Sequence, residues 1–423
     1  MMSITRGGGK ATLPELLAPA GTLEKLKIAV RYGADAVYLG SGAYSLRANA
    51  VMSQDDLAQG VAHAHAHGVK AYVTANIMAH NRDLAGLPNY LHFLREAQVD
   101  GLIIADPGVF ALARRHVPEV PIHLSTQANV TNRESALFWQ DQGAERLNLA
   151  RELSLAEIEE IRQAVRLKLE IFVHGALCIS YSGRCTMSLY MTGRDANLGQ
   201  CAHPCRYRYT IQEEKRPGQY FPVEEDERGV YIFNSKDLCL LHRLPALMRA
   251  GADSFKLEGR MKSVYYVGAI VRLYRAALDH IGREIDRLGP QCLSSITLPE
   301  VFDQELRKIG SRGYTENFFE KTPDESDMLH QGIDYQQTHA PVGLIQEPGP
   351  APVIEVRNPI NRGDRIEYLG RGLDNSEVVV TAITDGEGQG LERANPGSLV
   401  RLETAPALAE ATALGLLRKK AIL

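Results

Sequence analysis

One kind of junction recurs along the chain and limits the possible folds. At each of these junctions a predicted helix ends at a glycine, and a short apolar strand follows. The junction reads Gly33-Ala34-Asp35 near the N-terminus and Gly251-Ala252-Asp253 much later. Glycine at such a position suits the left-handed end of a helix. The eight predicted strands cover residues 15–19, 36–40, 70–76, 101–106, 122–127, 146–151, 169–174 and 254–258. Strands that alternate with helices predict an α/β fold, a (β/α)8 TIM-like barrel, with a doubly wound sheet as the second possibility.

Polar side chains collect at the C-terminal ends of these predicted strands. They are Asn76, Asp106, Ser125, Thr126, Gln127, Arg151, His174, Lys256, Glu258 and Arg260. A barrel of this class carries its active site at that end. Charged groups beside apolar strands are costly to desolvate, so we expect them to share a polar cavity. The alternative is that some of them form ion pairs that brace the rim of the barrel.

Five of the six cysteines lie between residues 178 and 239. Their spacing, C-x6-C-x15-C-x3-C-x33-C, matches neither a zinc knuckle nor a compact ferredoxin motif. Thiols gathered in this way predict a metal or iron–sulfur site, and several buried thiols without a cofactor are the alternative. The cysteines fall in a predicted insertion, residues 176–253, between strands seven and eight. This insertion would place them over the mouth of the barrel.

Composition and charge exclude several classes of protein. An apolar fraction of 44% allows a large core. The net charge of −4 argues against a basic field over the whole molecule, so any contact with nucleic acid would be a local patch. No apolar run approaches the length of about eighteen residues that a membrane span needs. The N-terminus lacks the apolar core of a signal peptide, so we expect a cytoplasmic protein.

The helical pattern of the sequence stops after about Asp324. Residues 1–13 are expected to form a flexible tail, and residues 14–330 the TIM-like barrel with its insertion. From residue 340 to 423, short alternating strands separated by Gly, Pro and Asn turns predict a small β-barrel domain. We expect residues 405–419 to form a C-terminal helix.

Several motifs together resemble the U32 peptidase family, which is also called collagenase-like. The main one is Glu170-x-Phe172-x-x-Gly175-Ala176-Leu177-Cys178-x4-Gly183-x-Cys185-x-Met187-Ser188. The segments Glu15-Leu16-Leu17-Ala18-Pro19-Ala20-Gly21 and Lys256-Leu257-Glu258-Gly259-Arg260 also match. The resemblance covers most of the chain to about residue 330 and is strongest to the prephenate-dependent tRNA uridine hydroxylases of this family.

The resemblance implies an iron–sulfur enzyme that hydroxylates a wobble uridine of tRNA to 5-hydroxyuridine without oxygen, with prephenate as co-substrate. It implies a 4Fe–4S cluster on Cys178, Cys185 and Cys201, with Cys239 as the fourth ligand and Cys205 as the alternative. tRNA and the iron–sulfur assembly machinery would be its partners. Two other functions remain open, namely a peptidase, as the family name implies, and a non-catalytic binding protein on a barrel scaffold.

Roles for the polar residues follow from their positions and from this resemblance. Prephenate carries two carboxylates that need fixed cations. The predicted substrate-binding residues are Arg47, Arg151, Lys256 and Arg260. The predicted catalytic residues, which would orient the ring or relay protons, are His174, Asn76, Gln127 and Glu258. The H-E-x-x-H motif of a metalloprotease is absent from the sequence.

Overall fold

The structure is a computed structural model. It describes residues 12–46, 52–177, 180, 185–206, 211–212, 220–221, 225–226, 229–230, 236–323 and 337–421.

Secondary-structure elements alternate from the first strand to the seventh. They are β1 (Glu15–Pro19), α1 (Leu23–Arg31), β2 (Ala36–Gly40), α2 (Gln54–Ala66), β3 (Lys70–Ala75), α3 (Asn81–Leu84), α4 (Leu87–Glu96), β4 (Gly101–Ile104), α5 (Pro107–His116), β5 (Ile122–Leu124), α6 (Arg133–Asp141), β6 (Arg146–Asn148), α7 (Leu155–Ala164) and β7 (Lys168–Ala176).

The insertion and the end of the first domain follow. Their elements are α8 (Met187–Thr192), β8 (Ile211–Gln212), β9 (Tyr220–Phe221), β10 (Glu225–Asp226), β11 (Gly229–Val230), β12 (Asp237–Cys239), α9 (Leu244–Arg249), β13 (Ser254–Leu257), α10 (Val264–Leu288), α11 (Val301–Arg307) and β14 (Tyr314–Thr315). The C-terminal domain consists of β15 (His339–Glu347), β16 (Val353–Val356), β17 (Ile360–Asn361), β18 (Arg365–Leu369), β19 (Asn375–Thr384), β20 (Gly390–Leu391), β21 (Arg393–Ala394), β22 (Leu399–Ala405) and β23 (Leu416–Lys420).

Eight parallel strands, β1 to β7 and β13, close into a ring. Strand β13 pairs with β1 on one side and with β7 on the other, and each of the other strands pairs with its neighbours in sequence. Closure confirms the predicted TIM-like barrel, since a doubly wound sheet has two open edges. The predicted glycine junctions have the expected backbone, with φ of +97° at Gly33 and +83° at Gly251. A Cβ on Gly33 would lie 2.7 Å from the side chain of Arg275, so glycine is needed there for space as well.

The interior of the barrel is ionic toward the N-terminal ends of its strands. The Arg146 guanidinium donates to Glu15 at 2.6 Å and to Glu170 at 3.0 Å, and Lys256 Nζ donates to the other Glu170 oxygen at 2.8 Å. The surrounding helices bury the apolar outer faces of the strands instead. Two cations and two carboxylates thus neutralise each other inside the ring, in accordance with the rule that buried charges are paired.

The C-terminal domain is a six-stranded antiparallel barrel in the order β18-β23-β15-β16-β22-β19, closed by pairing of β19 with β18. The helix predicted for residues 405–419 is wrong. Strand β23 occupies the end of this segment and pairs with both β15 and β18. Leu416 and Leu417 are buried there, so tertiary pairing overrides the helix propensity of the alanine-rich tail.

A buried polar contact joins the two domains. The hydroxyl of Tyr32, the C-cap residue of α1, donates to the Leu369 carbonyl at 2.9 Å and accepts from the Leu416 amide at 3.0 Å. Leu344, Leu369 and Leu416 of the second domain belong to the same apolar core as the first. The domains therefore pack as one unit. Among the described residues, no helix combines the length and hydropathy that crossing a bilayer requires.

Candidate active site at the mouth of the barrel

A small cavity of about 40 Å³ lies where the barrel strands end. Its lining residues are Tyr38, Leu46, Thr74, Asn76, Ile103, Ser125, Thr126, Gln127, Asn148, Arg151, Phe172, Lys256, Glu258 and Arg260. Six of the site residues that we predicted from the sequence line this one cavity. They are Asn76, Gln127, Arg151, Lys256, Glu258 and Arg260.

Hydroxyl and amide groups form one side of the cavity. Asn76 Nδ2 donates to Ser125 Oγ at 3.3 Å and to Gln127 Oε1 at 3.2 Å. Asn76 Oδ1 accepts from the Leu46 amide at 3.2 Å. Ser125 Oγ also contacts Gln127 Oε1. This chain of hydrogen bonds holds the Asn76 and Gln127 side chains in fixed orientations.

Arg260 is a cation of the site that the surrounding protein holds by several hydrogen bonds. Its Nη1 donates to Ser45 Oγ at 2.9 Å and to Thr74 Oγ1 at 3.0 Å, and its Nη2 donates to the Leu46 carbonyl. Only 4% of the residue is exposed. Arg260 therefore ties the end of β13 to β3 and to the loop after β2, and much of its donor capacity is used within the protein.

Lys256 connects the cavity to the ionic interior. Its Nζ donates to Glu170 and lies 4.6 Å from the centre of the Tyr38 ring. Burial lowers the pKa of Lys256, although Glu170 opposes the shift. Burial alone would raise the pKa of Glu170, but Lys256 and Arg146 outweigh it and the pKa is lowered. The one proton of the Tyr38 hydroxyl is shared between the Leu257 carbonyl at 3.0 Å and Glu258 Oε2 at 3.2 Å, and this contact helps to orient the carboxylate.

Arg151 is held differently from Arg260. Its Nη1 donates to the Ala176 carbonyl at 2.9 Å, and its guanidinium carbon lies 4.0 Å from the centre of the Phe172 ring. Its Nε is buried, and no hydrogen-bond partner for it lies in the part of the chain that the structure describes. Stacking and one hydrogen bond thus orient the guanidinium while leaving a donor on its other edge for a ligand.

Asn148 is a lining residue that the sequence analysis missed. It is 1% exposed, and neither Nδ2 nor Oδ1 has a hydrogen-bond partner among the described residues. Side chains alternate along a strand, and Arg146, two residues earlier, points into the barrel. That alternation was the signal that could have identified Asn148.

His174 lies outside the cavity, contrary to its expected place in the strand-end group. The pairing of β7 with β13 is irregular here, with Lys256 opposite Phe172 but Leu257 opposite His174. His174 is buried, and its Nδ1 lies 3.2 Å from the Tyr274 hydroxyl of α10. The β-bulge explains the difference, because it turns the side chain away from the barrel axis. Asp106, also in the predicted group, caps α5 by accepting from the amides of residues 108 and 109 at 2.8 and 3.0 Å.

His174 and Cys239 are neighbours across the β7–β12 pair, so a cysteine peptidase dyad is one arrangement to consider. Burial lowers the pKa of His174 to about 3. Burial also raises the pKa of the Cys239 thiol to about 11. Tyr274 lies near both, with its hydroxyl 3.9 Å from the Cys239 sulfur. The two shifts favour neutral imidazole and thiol, the opposite of an activated cysteine nucleophile.

The insertion crosses the mouth of the barrel. The Met78 amide, just after β3, donates to the Asn197 carbonyl at 3.3 Å, although the insertion begins after β7 on the opposite side of the ring. Asn197 Nδ2 donates to the Cys185 carbonyl at 3.1 Å. The segments around Cys185 and Cys201 are joined, because the Ala202 amide donates to Ser188 Oγ at 2.9 Å.

The structure describes four of the five cysteines that were predicted as possible iron–sulfur ligands. Cys185, Cys201, Cys205 and Cys239 are half-buried. Cys178 and Arg47 lie outside the described residues. Within the described ranges, no three His, Cys, Asp or Glu side chains converge as a ready metal site. The donors nevertheless fit an iron–sulfur cluster in type, since soft thiols lie on joined segments above the mouth and on β12 beside the strand that leads to Cys178.

A closed parallel barrel with a polar cavity at the carboxyl ends of its strands is the architecture of a barrel enzyme. The chain belongs to peptidase family U32. The family model matches residues 21–329, and the model of the U32 C-terminal domain matches residues 337–417.

Proteins of known name match over most of the chain. It is 38% identical to tRNA hydroxylation protein P1 of Bacillus subtilis, covering 92% of each protein. It is also 38% identical to tRNA hydroxylation protein P of Escherichia coli, covering 84% of this chain and 86% of that one. A third similar protein, the 23S rRNA 5-hydroxycytidine C2501 synthase of Escherichia coli, is 38% identical over 72% of this chain and 45% of its own length.

Proposed function

We propose that the protein is a tRNA-modifying enzyme that hydroxylates a wobble uridine to 5-hydroxyuridine, with prephenate as co-substrate. The observation that carries this proposal is the match along 92% of the chain to a tRNA hydroxylation protein. The match spans both domains, so it reflects more than a shared barrel. A related protein that modifies cytidine in ribosomal RNA also supports chemistry on a pyrimidine ring.

The charge of the cavity supports an acidic co-substrate. Arg151, Lys256 and Arg260 line it against one carboxylate, Glu258. Part of this positive charge is neutralised inside the barrel, because Lys256 pairs with Glu170 there. Arg151 has an unused donor, Nε, and is rigidly oriented, which suits it to bind a carboxylate of prephenate.

The remaining polar residues would position the reactants. Asn76 and Gln127 are locked by their shared hydrogen bonds and present fixed dipoles to the cavity. Glu258, held by the Tyr38 hydroxyl, is the carboxylate placed to accept a proton. Replacing the C5 hydrogen of uracil by a hydroxyl group is a two-electron oxidation, and these side chains do not supply an electron acceptor.

We therefore include a 4Fe–4S cluster in the proposal, with Cys178, Cys185, Cys201 and Cys239 as ligands and Cys205 as the alternative fourth. When bound, such a cluster supplies one-electron redox chemistry that side chains lack. The iron–sulfur assembly machinery would then be a partner of the protein. The position of Asn197, bonded both to the Cys185 carbonyl and to the loop after β3, would keep the cluster above the cavity.

The test uses tRNA from a strain that lacks the gene. We expect liquid chromatography with mass spectrometry to show loss of 5-hydroxyuridine or its derivatives from wobble positions, and restoration by the wild-type gene. Wild-type protein purified without oxygen should carry roughly four irons per chain and act on the unmodified tRNA when prephenate is added. Unchanged wobble nucleosides in the deletion strain would refute the tRNA function. An active, iron-free protein would refute the cluster alone.

A further inference from the structure

Asn148 occupies an unusual position for an amide. It is 1% exposed at the end of β6, it lines the cavity, and neither polar atom of its side chain has a partner among the described residues. A buried amide without hydrogen bonds destabilises a protein, and an apolar side chain of the same shape would avoid that cost. A ligand that fills the cavity and forms a hydrogen bond with this amide would reduce the penalty.

Arg151, which follows the end of the same strand, supplies a second buried polar group without a hydrogen-bond partner among the described residues. Its Nη1 is engaged with the Ala176 carbonyl and its face stacks on Phe172, but its buried Nε has no partner in the described part of the chain. The other guanidinium of the cavity, Arg260, already donates to two hydroxyls and a carbonyl. A carboxylate that enters the cavity would therefore bind to Arg151.

We propose that Asn148 and Arg151 together form a subsite for a carboxylic acid that carries an oxygen on the neighbouring carbon, that is, a 2-oxo or 2-hydroxy acid. The carboxylate accepts from Arg151, and the neighbouring oxygen bonds to the Asn148 amide. Nδ2 can donate to an oxo group and Oδ1 can accept from a hydroxyl, so one amide serves both kinds of acid. Asn148 is thus a specificity-determining residue.

This inference rests on the proposed function, because prephenate has a 2-oxo acid side chain. The inference specifies that the 2-oxo acid side chain of prephenate enters the cavity first and that Asn148 recognises it. The small cavity, about 40 Å³, agrees with recognition of one end of a ligand rather than of a whole nucleoside.

A matched pair of acids tests the subsite. Phenylpyruvate and 3-phenylpropionate share a ring and a carboxylate, but only the first has an oxo group beside the carboxylate. Calorimetry on the full-length protein, purified without oxygen, should show that the wild type binds phenylpyruvate about tenfold more tightly, as expected for one hydrogen bond. Asn148→Val should bind both acids equally, and Arg151→Ala should lose affinity for both.

Asn129→Gly is the matched control. The Asn129 side-chain oxygen is also buried without a partner among the described residues, its backbone φ is 57°, and the residue does not line the cavity. This variant should keep the tenfold preference. A second measurement guards against misfolding, since ligand-free Asn148→Val should melt no lower than the wild type if the amide is unpaired without ligand.

Each contrary result overturns the subsite. Wild-type protein that binds neither acid, or both equally, contradicts it, as does a preference that survives in Asn148→Val. Modification of tRNA is measured separately. A protein that prefers phenylpyruvate through Asn148 but leaves tRNA unmodified would refute the proposed function and retain the subsite.

Discussion

Arg418 of the C-terminal barrel donates from Nη2 to both carboxylate oxygens of Glu305 in the TIM-like barrel, at 2.8 and 2.9 Å. Arg418 is fully buried and Glu305 is 4% exposed. Arg272 of α10 reaches the same carboxylate at 3.1 Å. Arg418 Nη2 also donates to Glu367 at 2.6 Å. Glu305 is thus the carboxylate that the two buried guanidinium groups share at the joint between the domains.

Glu305→Ala should destabilise the protein strongly, because it leaves the buried Arg272 without the carboxylate that it contacts and Arg418 with Glu367 alone. Breaking a buried pair in this way costs about 3–5 kcal/mol. Denaturant unfolding monitored by circular dichroism measures the loss. Glu300→Ala is the control, since its pair with Arg307 is exposed and such pairs contribute roughly 0–1 kcal/mol. Equal stability of the two variants would contradict the importance of the joint.

The same glutamate should make stability depend on pH. Burial would raise the pKa of Glu305, but Arg418, Arg272 and Lys308 outweigh it and lower the pKa to about 2. A carboxyl whose pKa is lower in the folded state than its unfolded value of about 4.3 stabilises the fold fully above that unfolded value. The contribution is lost as the pH falls toward 2. Unfolding free energies at pH 6, 4 and 3 should therefore fall less steeply in Glu305→Gln than in the wild type.

The strand pattern predicted the barrel well, because strand and helix periods depend on local sequence. Strands β1 and β2 have the predicted bounds, and each of the other barrel strands overlaps its prediction. The predictions failed where distant segments decide the structure. The bulge opposite Lys256 that turns His174 outward, and the pairing of β23 with β15 and β18, both depend on neighbours far away in sequence.

Six of the predicted catalytic and substrate-binding residues came together because parallel barrel strands end at one rim. Asn148 was missed because it was treated as part of an apolar strand, and its role depends on the absence of partners, which sequence does not reveal. The hydrogen bonds from Arg260 to Ser45 and Thr74 could not be predicted from the sequence either. Sequence thus indicates which residues meet, while their hydrogen bonds decide which of them can bind a ligand.

Arg151 and Arg260 should respond differently to replacement by lysine. Arg151→Lys loses the stack on Phe172 and the planar fork, so prephenate affinity should fall by about tenfold with little change in melting temperature. Arg260→Lys loses hydrogen bonds to Ser45, Thr74 and Leu46, so its main effect should be a lower melting temperature. Calorimetry and thermal melts on both variants make the comparison. The reverse pattern would show that Arg260 is the main carboxylate clamp.

Protonation of His174 in the unfolded chain should lower the free energy of unfolding in mild acid. Burial lowers the pKa of His174 to about 3 from an unfolded value near 6.5. Between those values the unfolded chain binds the proton and the folded protein does not, so stability falls as the pH drops below about 6.5. His174→Gln should flatten the slope of unfolding free energy between pH 6 and 4, by at most about 1.4 kcal/mol per pH unit. An unchanged slope would show that His174 is protonated in the folded state.

The fourth cluster ligand can be decided by comparing three cysteine variants. Cys239 lies on β12, opposite His174, and would close the insertion back onto the barrel, whereas Cys205 lies in the same segment as Cys201. We expect Cys239→Ala to lose most of its bound iron and sulfide and Cys205→Ala to retain them. Cys292→Ala is the control, because this thiol is buried in the core after α10 and lies outside residues 178–239, the segment that carries the other five cysteines. Iron retained in Cys239→Ala but lost in Cys205→Ala would assign the fourth position to Cys205. A cluster lost from both variants, with Cys292→Ala intact, would mean that both thiols are needed to assemble it.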